Sequence, residues 1–169
     1  MKKNLLFLLP VFSVLILIFN DCEKNAVDNN INFDSFRTYW IDSTYKIDNS
    51  GNYLIITNKN KLDSIFITAK LLDSMNFDSI YHFIGDSDFN SQYAVAIIKS
   101  REPKDYELKI MNLSLNNENL LINYSYQDSP SGFHPLGYFN YALATFDKCN
   151  FNKVYFYQND TLVKIIDFP

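Results

Sequence analysis

The sequence predicts an α+β fold: a mainly antiparallel β-sheet of about seven strands, with one or two short helices packed on it. Aromatic residues make up 17% of the 169 residues, and short segments rich in Ile, Tyr and Phe favour β-strands. Asn-rich intervals, which suit turns, separate these segments, and only one stretch has clear helical spacing. The resulting order, strands and a helix followed by hairpin-linked strands, is typical of the α+β class.

Three strands are predicted in the first part of the domain. Residues 36–47 form the first, in which Trp40 is expected to anchor the core or a sheet face. Residues 52–58 are a short apolar run bounded by Asn, which predicts a buried strand. The third predicted strand covers residues 91–100.

One helix is predicted over residues 60–73, with Asn60 as its N-terminal cap. Apolar residues recur there on one helical face, at Leu62, Ile65, Phe66, Ala69 and Leu72. A second short helix within residues 76–84 is compatible with the sequence.

The second part of the domain predicts a long antiparallel hairpin. Its first strand covers residues 106–115, whose apolar positions change phase at Met111, as expected for a β-bulge. Residues 116–119 form the turn, and the alternation over 120–126 predicts the second strand. Residues 128–137, with two Pro and two Gly, predict a loop. The last predicted elements are strands at 138–146, 153–159 and 161–167, the final two joined by a tight turn at Asn159-Asp160.

The first 21 residues predict export. Lys2 and Lys3 precede an almost wholly apolar segment, residues 5–19, which is shorter than the roughly 20 residues that a membrane-spanning helix needs. A charged start followed by a short apolar segment is typical of a secretory signal peptide. Cys22 follows it, and the region resembles the signal of Bacteroidota-type bacterial lipoproteins, in which this thiol is acylated and becomes the mature N-terminus.

This resemblance implies a lipid-anchored protein of the cell envelope, with a palmitate-type anchor on the periplasmic or surface face of the outer membrane. Residues 1–21 are then the signal peptide, 22–32 the lipidated cysteine and a flexible tether, and 33–169 a single β-rich domain. Two alternatives stay open. The apolar segment is an uncleaved anchor with an incidental cysteine, or Cys22 forms a disulfide with Cys149, which lipidation would preclude.

Charge and motif content exclude several classes of function. Removing residues 1–21 takes away two Lys and one Asp, so 13 basic against 18 acidic residues give a net charge of about −5. That balance argues against nucleic acid, which is bound by basic surfaces. His82 and His134 are far apart, and no His or Cys cluster with zinc-site spacing occurs. Residues 86–90, "DSDFN", begin like a calcium loop but lack its later Glu, so a turn is favoured. The sequence therefore predicts a non-enzymatic protein without metal or other cofactor.

Several segments resemble the C-terminal domain of the protease-complex accessory subunit, which is found on many secreted bacterial lipoproteins. The matching segments are "YLIITNKNKLDSIF", "YAVAIIKS" and "REPKDYELKIMNLSLNNENLLINYSYQDS", within about residues 52–166. The family's Gly-Gly turn is replaced by Lys104-Asp105. The resemblance implies a non-catalytic module that stabilises a partner protein. We expect the contact surface in the loop 100–106, the hairpin 106–126 and the loop 128–137, with the candidate partner-binding residues Arg101, Pro103, Tyr106, Phe133 and His134.

Two other hypotheses concern glycans. Aromatic residues are frequent in two predicted strands (Tyr138, Phe139 and Tyr141; Tyr155, Phe156 and Tyr157), and strand alternation sends some of them outward. Such sheet-face tyrosines, together with Trp40, are an alternative surface for binding a glycan. Separately, seven of 15 Asp are followed directly by Ser, against about one expected by chance. This pattern resembles the O-glycosylation sequon of Bacteroidota secreted proteins, although Asp-Ser also favours caps and turns. The candidate acceptors are Ser43, Ser64, Ser74, Ser79 and Thr161. A hydrolase with an unrecognised site is a third hypothesis.

Overall fold

The structure, a computed structural model, describes residues 29–36, 39–68, 83–100, 106–128 and 140–169. Within these ranges the chain is mostly β-strand, its sheets are mainly antiparallel, and two short helices accompany them, which confirms the predicted fold class. No helix in these ranges is both long and apolar enough to cross a membrane. The elements are β1 (Asn29–Ile31), β2 (Phe33–Phe36), β3 (Tyr39–Ile41), β4 (Asn52–Ile56), α1 (Lys59–Asp63), β5 (Phe66–Thr68), α2 (Asp88–Ser91), β6 (Gln92–Ile98), β7 (Tyr106–Asn116), β8 (Asn119–Asp128), β9 (Tyr141–Asp147), β10 (Lys153–Gln158) and β11 (Thr161–Asp167).

The strands form a five-stranded sheet, a four-stranded sheet and a two-stranded ladder. The five-stranded sheet has the order β1-β7-β8-β10-β11, and only its β8-β10 pair is parallel. The four-stranded sheet has the order β2-β9-β6-β4 and is antiparallel throughout. Strands β3 and β5 form the ladder. Because β1 and β2 are separated by Asn32 alone, the chain passes directly from one sheet into the other.

The first hydrophobic core lies between the five-stranded and the four-stranded sheet. Strand alternation sends every second side chain into it, so that Phe156 is fully buried while its neighbours Tyr155 and Tyr157 are only half-buried. The five-stranded sheet contributes one face to this core. The least exposed members of this core include Ile97, Leu113, Leu120, Ile122, Tyr124, Phe146 and Phe156.

A second core lies on the other face of the four-stranded sheet. There Ala94, Ala96 and Ile98 of β6 pack with residues from the two-stranded ladder and both helices. Strand β6 therefore has a core on each face and a strand on each side. The other main members of this core are Tyr39, Ile56, Leu62, Ile65, Phe66, Ile84 and Phe89.

The hairpin and bulge predictions are confirmed. Strands β7 and β8 pair antiparallel from Tyr106 opposite Asp128 to Asn116 opposite Asn119, and their register shifts between Ile110 and Asn112. Met111 is the extra residue at this bulge, and its side chain points into solvent. The turn residues 117–118 and 159–160 all have positive φ, as two-residue hairpin turns of type I′ require. Asn and Asp tolerate this conformation better than most residues, which explains their presence there.

The predicted helix at 60–73 is wrong in its extent. Helix α1 ends at Asp63, and residues 66–68 form β5, which pairs with β3. The N-terminal cap is Asn58 rather than Asn60, because the Asn58 side chain accepts a hydrogen bond from the Lys61 N–H at 2.9 Å. Pairing with β3 and burial in the second core outweigh the local helical spacing. Residues 69–82, which include most of the second predicted helix, lie outside the described ranges.

Trp40 does not anchor the core. Its side chain is 51% exposed, whereas the neighbouring Tyr39 is buried in the second core. Because side chains alternate along β3, only one of the two residues can face inward. The strand predicted at 36–47 is also shorter, since β3 ends at Ile41 and a turn follows.

Candidate functional site

Most of the sequence-predicted binding residues lie outside the described ranges. These are Arg101, Pro103, Phe133 and His134 of the predicted contact surface, the acylation candidate Cys22, and the glycosylation candidates Ser74 and Ser79. Tyr106 is described, at the first position of β7. The partner-binding surface around these residues therefore stays a prediction.

Tyr106 lines a groove of about 270 Å³ between the two large sheets. Its half-buried ring stacks on Tyr126 of the neighbouring strand, with centroids 4.7 Å apart and planes 25° apart. The groove lies at the end of β2 and at the starts of β7 and β9. Among its other lining residues are Ser35, Phe36, Lys109, Asn140 and Tyr141.

Lys99, directly after β6, lies among tyrosine rings at one end of the first core. Its Nζ donates to the Tyr53 hydroxyl at 2.6 Å and to Gln158 Oε1 at 3.1 Å. The same ammonium lies 4.9 Å from the ring centroid of Tyr53 and 5.5 Å from that of Tyr124, within cation–π range. The Tyr124 hydroxyl donates to Gln158 Oε1 at 3.0 Å and lies 3.0 Å from the Tyr53 hydroxyl.

These four side chains close a ring of hydrogen bonds, which we call the Lys99 clasp. Tyr53 and Lys99 belong to the four-stranded sheet side, and Tyr124 and Gln158 to the five-stranded sheet. Burial, followed by the nearby Tyr53, raises the pKa of Tyr124 well above its ordinary value, so this phenol stays neutral. Because each polar group of the clasp satisfies another, the arrangement fits a structural link between the sheets.

Strand β11 is the most exposed apolar element of the described residues. Five large hydrophobic side chains are exposed in those ranges, and three of them are on this strand: Leu162 (44%), Val163 (41%) and Ile165 (46%). Strand β11 is the last strand of the five-stranded sheet, and within the described ranges it pairs with β10 alone. Sequence analysis did not single out this strand as a site. The one available signal was Lys164 within the apolar run "LVKII", since a charge at that position is typical of an edge strand.

The outer face of the five-stranded sheet, the face turned away from the first core, adjoins this edge. Leu121, Tyr155 and Ile165 lie side by side across three strands, and Asn123, Tyr157 and Leu162 form the next row. Leu121, Asn123, Tyr155 and Tyr157 are half-buried. The sequence alternation predicted that some strand tyrosines face outward, and in β10 these are Tyr155 and Tyr157, on either side of the buried Phe156. Trp40, the other member of the predicted glycan surface, belongs to β3 in the separate two-stranded ladder.

Three candidate glycosylation acceptors are described, and all three are exposed. Ser43 follows Asp42, whose side chain accepts hydrogen bonds from the Thr44 hydroxyl and backbone N–H, and these bonds lower the pKa of Asp42. Ser64 ends α1, and its Oγ donates to the Lys61 carbonyl at 2.8 Å. Thr161 is the first residue of β11. Their exposure meets the steric requirement for a glycan, and glycosylation stays a prediction.

The remaining candidates have local structural explanations. The "DSDFN" segment forms a turn and α2, and the Asp88 carboxylate accepts the Gly85 N–H at 2.7 Å. Cys149 is a half-buried free thiol whose pKa is raised by burial and by Asp147. A raised pKa keeps a thiol protonated and unreactive. In the part of the chain that the structure describes, no three His, Cys, Asp or Glu side chains are grouped to hold a metal ion.

No protein-family profile matches this chain, and no curated protein or solved structure matches it either. A functional proposal therefore has to begin from the surfaces described above.

Proposed function

We propose that the protein is a lipid-anchored, non-catalytic accessory module of the cell envelope, and that it docks a partner protein on β11. The observation that carries the proposal is the concentration of exposed Leu162, Val163 and Ile165 on one edge strand. Monomeric proteins rarely expose contiguous apolar patches larger than a few hundred Å², and such patches mark sites of interaction.

Burial of these side chains supplies a driving force for docking. Fully burying an aliphatic side chain contributes about 1.5–3 kcal/mol, so burying the exposed part of three contributes roughly 2–4 kcal/mol. Half-buried Tyr155 and Tyr157 extend the apolar surface over the outer face. Tyrosine is enriched in protein interfaces because its ring is apolar and its hydroxyl finds a polar partner.

Charged residues border this apolar strip. Lys153 Nζ lies 3.9 Å from Asp167 Oδ1 at one end of the β10-β11 pair, and both side chains are largely exposed. Asp160, in the turn, lies at the other end and is also exposed. An apolar centre within a charged, solvated rim is the usual anatomy of a protein–protein interface.

Acylation of Cys22 would hold such a module at a membrane surface. Each acyl CH₂ that enters the bilayer contributes about 0.8 kcal/mol, and multiple chains give stable anchoring. A Cys22→Ala chain should therefore leave the membrane fraction of the native host. Retention of that variant in the membrane fraction would contradict the lipid anchor and leave the docking surface unaffected.

Site-specific photocrosslinking in the native host tests the docking surface. A photoreactive amino acid at position 163 should give one discrete adduct with an envelope protein, because Val163 lies within the proposed contact. The matched control carries the same group at position 40, where Trp40 is also exposed but belongs to the separate two-stranded ladder. A further Leu162→Asp change should abolish the adduct at 163. Equal adducts at both positions, or none at 163, would refute docking on β11.

Glycan binding is a second candidate function, favoured by one specific observation. Tyr155 and Tyr157 face outward two residues apart on β10, and Asn123 lies beside Tyr157 with its side chain on the same face. Aromatic rings next to amide groups are suited to stack on sugar rings and to hydrogen-bond their hydroxyls. A glycan array that reports binding by the wild type and none by Tyr155→Ala would support this candidate. Binding that survives in Tyr155→Ala and Tyr157→Ala would exclude this face.

A further inference from the structure

We infer that an extended segment of the partner protein adds to the sheet beside β11, with a carboxylate opposite Lys164. This inference rests on the proposed function. The added segment would become the sixth strand of the five-stranded sheet. Its side chains on either side of the carboxylate would be aliphatic and would cover Val163 and Ile165. This assigns β11 as a strand-addition edge for an aliphatic peptide segment with one central carboxylate.

One side of the β11 backbone has hydrogen-bonding groups that an incoming strand could pair with. The other side pairs with β10 from Thr161 to Asp167, and the structure describes no strand on the first side. The N–H and C=O groups on such an edge are a template for an incoming strand.

Both ends of β11 are also fixed. At the start, the Asn159 side chain exchanges two 3.1 Å hydrogen bonds with the Tyr126 backbone. At the end, the Phe168 N–H donates to the Asn152 carbonyl at 2.8 Å. An edge held at both ends loses little further entropy when a strand adds to it, which favours binding.

Lys164 argues against a second copy of this chain as the added strand. Two β11 strands related by a two-fold axis pair antiparallel, so that one residue lies opposite its own copy at the axis. Five or more residues of 161–167 find a partner only when that residue is 163, 164 or 165. Those registers place Lys164 opposite Leu162, Lys164 or Ile166 of the copy. In each case the ammonium meets a like charge or an aliphatic side chain, and like charges directly opposite are destabilising.

The same residue defines the chemistry of the strand that fits. Opposite charges directly across an antiparallel pair are stabilising. A carboxylate aligned with Lys164 would therefore attract the Lys164 ammonium and stabilise the added strand. The register of β10 and β11 shifts near Val163, which puts a local irregularity into the edge. Bulges and edge lysines protect sheets from indiscriminate pairing. The irregularity near Val163 and the charge of Lys164 together favour a strand with a carboxylate opposite Lys164 over other extended chains.

Two synthetic heptapeptides with blocked termini test this inference on the isotope-labelled protein. The first, Thr-Ile-Val-Glu-Val-Ile-Thr, has its carboxylate at the centre, and the second replaces that Glu by Lys. We expect the first to shift the amide resonances of β11 and to slow their hydrogen exchange. The Lys peptide should bind about tenfold more weakly, because one cross-strand attraction becomes a repulsion. Methylation of alternate peptide nitrogens should abolish binding of the first peptide, since it removes the ladder hydrogen bonds.

A charge swap supplies the decisive control. Lys164→Glu should reverse the preference, so that the Lys peptide binds more tightly, and Lys164→Gln should remove the preference. Because Lys164 is exposed, neither change disturbs the core. Equal binding of both peptides, absence of shifts in β11, or a wild-type dimer that Leu162→Asp dissociates would each overturn the inference. If the photocrosslink at 163 still forms while both peptides fail, docking stands and strand addition is wrong.

Discussion

Strands β6 and β11 have the same length and opposite environments. Each has seven residues, "QYAVAII" in β6 and "TLVKIID" in β11, and each is rich in aliphatic side chains. The last five residues of β6 are buried, whereas six of the seven residues of β11 are exposed. Strands of similar aliphatic content are thus largely buried in one case and largely exposed in the other.

The difference follows from position in the sheets. Strand β6 has β4 and β9 on its two sides and a hydrophobic core on each face. Strand β11 has β10 on one side, and of its residues only Ile166 packs against the first core. Whether an apolar strand is buried therefore depends on its position in the sheets. Apolar side chains that this position leaves exposed are available to contact another molecule.

The largest expected effect comes from truncating one isoleucine in each strand. Ile97→Ala in β6 should lower the free energy of unfolding by about 2–5 kcal/mol, because it leaves a cavity in a close-packed core. Ile165→Ala in β11 should lower it by about 1 kcal/mol or less, because the side chain is already half in water. Denaturant titration of both variants measures the difference. Equal losses would show that β11 is buried in solution.

A backbone change beside β6 is expected to have the next largest effect. Gly51 has φ +84°, and a Cβ added there would lie 2.7 Å from the Ile98 carbonyl oxygen. Gly51→Ala should therefore cost about 1–3 kcal/mol through strain and displacement of the end of β6. The matched control is Gly85→Ala, whose Cβ would have no neighbour closer than 3.7 Å. Thermal unfolding that ranks the two variants alike would contradict the close approach.

The Lys99 clasp predicts a smaller effect. Tyr124→Phe removes the hydroxyl that donates to Gln158 and contacts Tyr53, so it should cost about 1–2 kcal/mol. Tyr155→Phe, which makes the same chemical change on the outer face, should stay within about 0.5 kcal/mol of the wild type. Chemical denaturation of both variants provides the measurement. A neutral Tyr124→Phe would remove the clasp as a link between the sheets.

The smallest effect concerns the second core at alkaline pH. Burial, with a smaller contribution from the carboxylates of Asp63 and Asp88, raises the pKa of Tyr39 from 10.0 to about 12, although the hydrogen bond from Ile84 opposes this. Below pH 10, Tyr39 is protonated in both the folded and the unfolded chain, and its contribution to stability is fully present. Between pH 10 and about 12 the unfolded chain loses the Tyr39 proton first, so this contribution to stability is lost as the pH rises. Stability should thus decline less steeply over this range in Tyr39→Phe than in the wild type. Trp40→Phe, one residue along, should keep the wild-type slope.

Local structure was largely predictable from the sequence. The β7-β8 hairpin, its bulge at Met111 and the turn at Asn159-Asp160 depend on residue alternation and turn chemistry within short stretches. Helix α1 was predicted too long, because β5 is defined by its pairing with β3, more than twenty residues earlier in the chain. Sheet order is equally non-local, so the parallel β8-β10 pair had no signal in either segment.

The candidate site was less predictable for the same reason. Strand alternation predicted that some of the strand tyrosines face outward, but the burial of Phe156 is what identifies Tyr155 and Tyr157. Apart from Lys164, nothing in the apolar run of β11 distinguishes it from a buried strand, because its place in the sheet depends on pairing with β10. The Lys99 clasp unites residues 53, 99, 124 and 158, and no pattern in the sequence connects these positions.

The passage of the chain from β1 into β2 has a mechanical consequence. Strand β1 pairs with β7 in the five-stranded sheet, and β2, one residue later, pairs with β9 in the four-stranded sheet. Tension applied to the chain before Asn29 therefore meets the β1-β7 ladder first and then the β2-β9 ladder. Pulling this segment out therefore has to break the β1-β7 pairing and then the β2-β9 pairing. Each of the two large sheets thus resists a load on the amino-terminal side, one after the other.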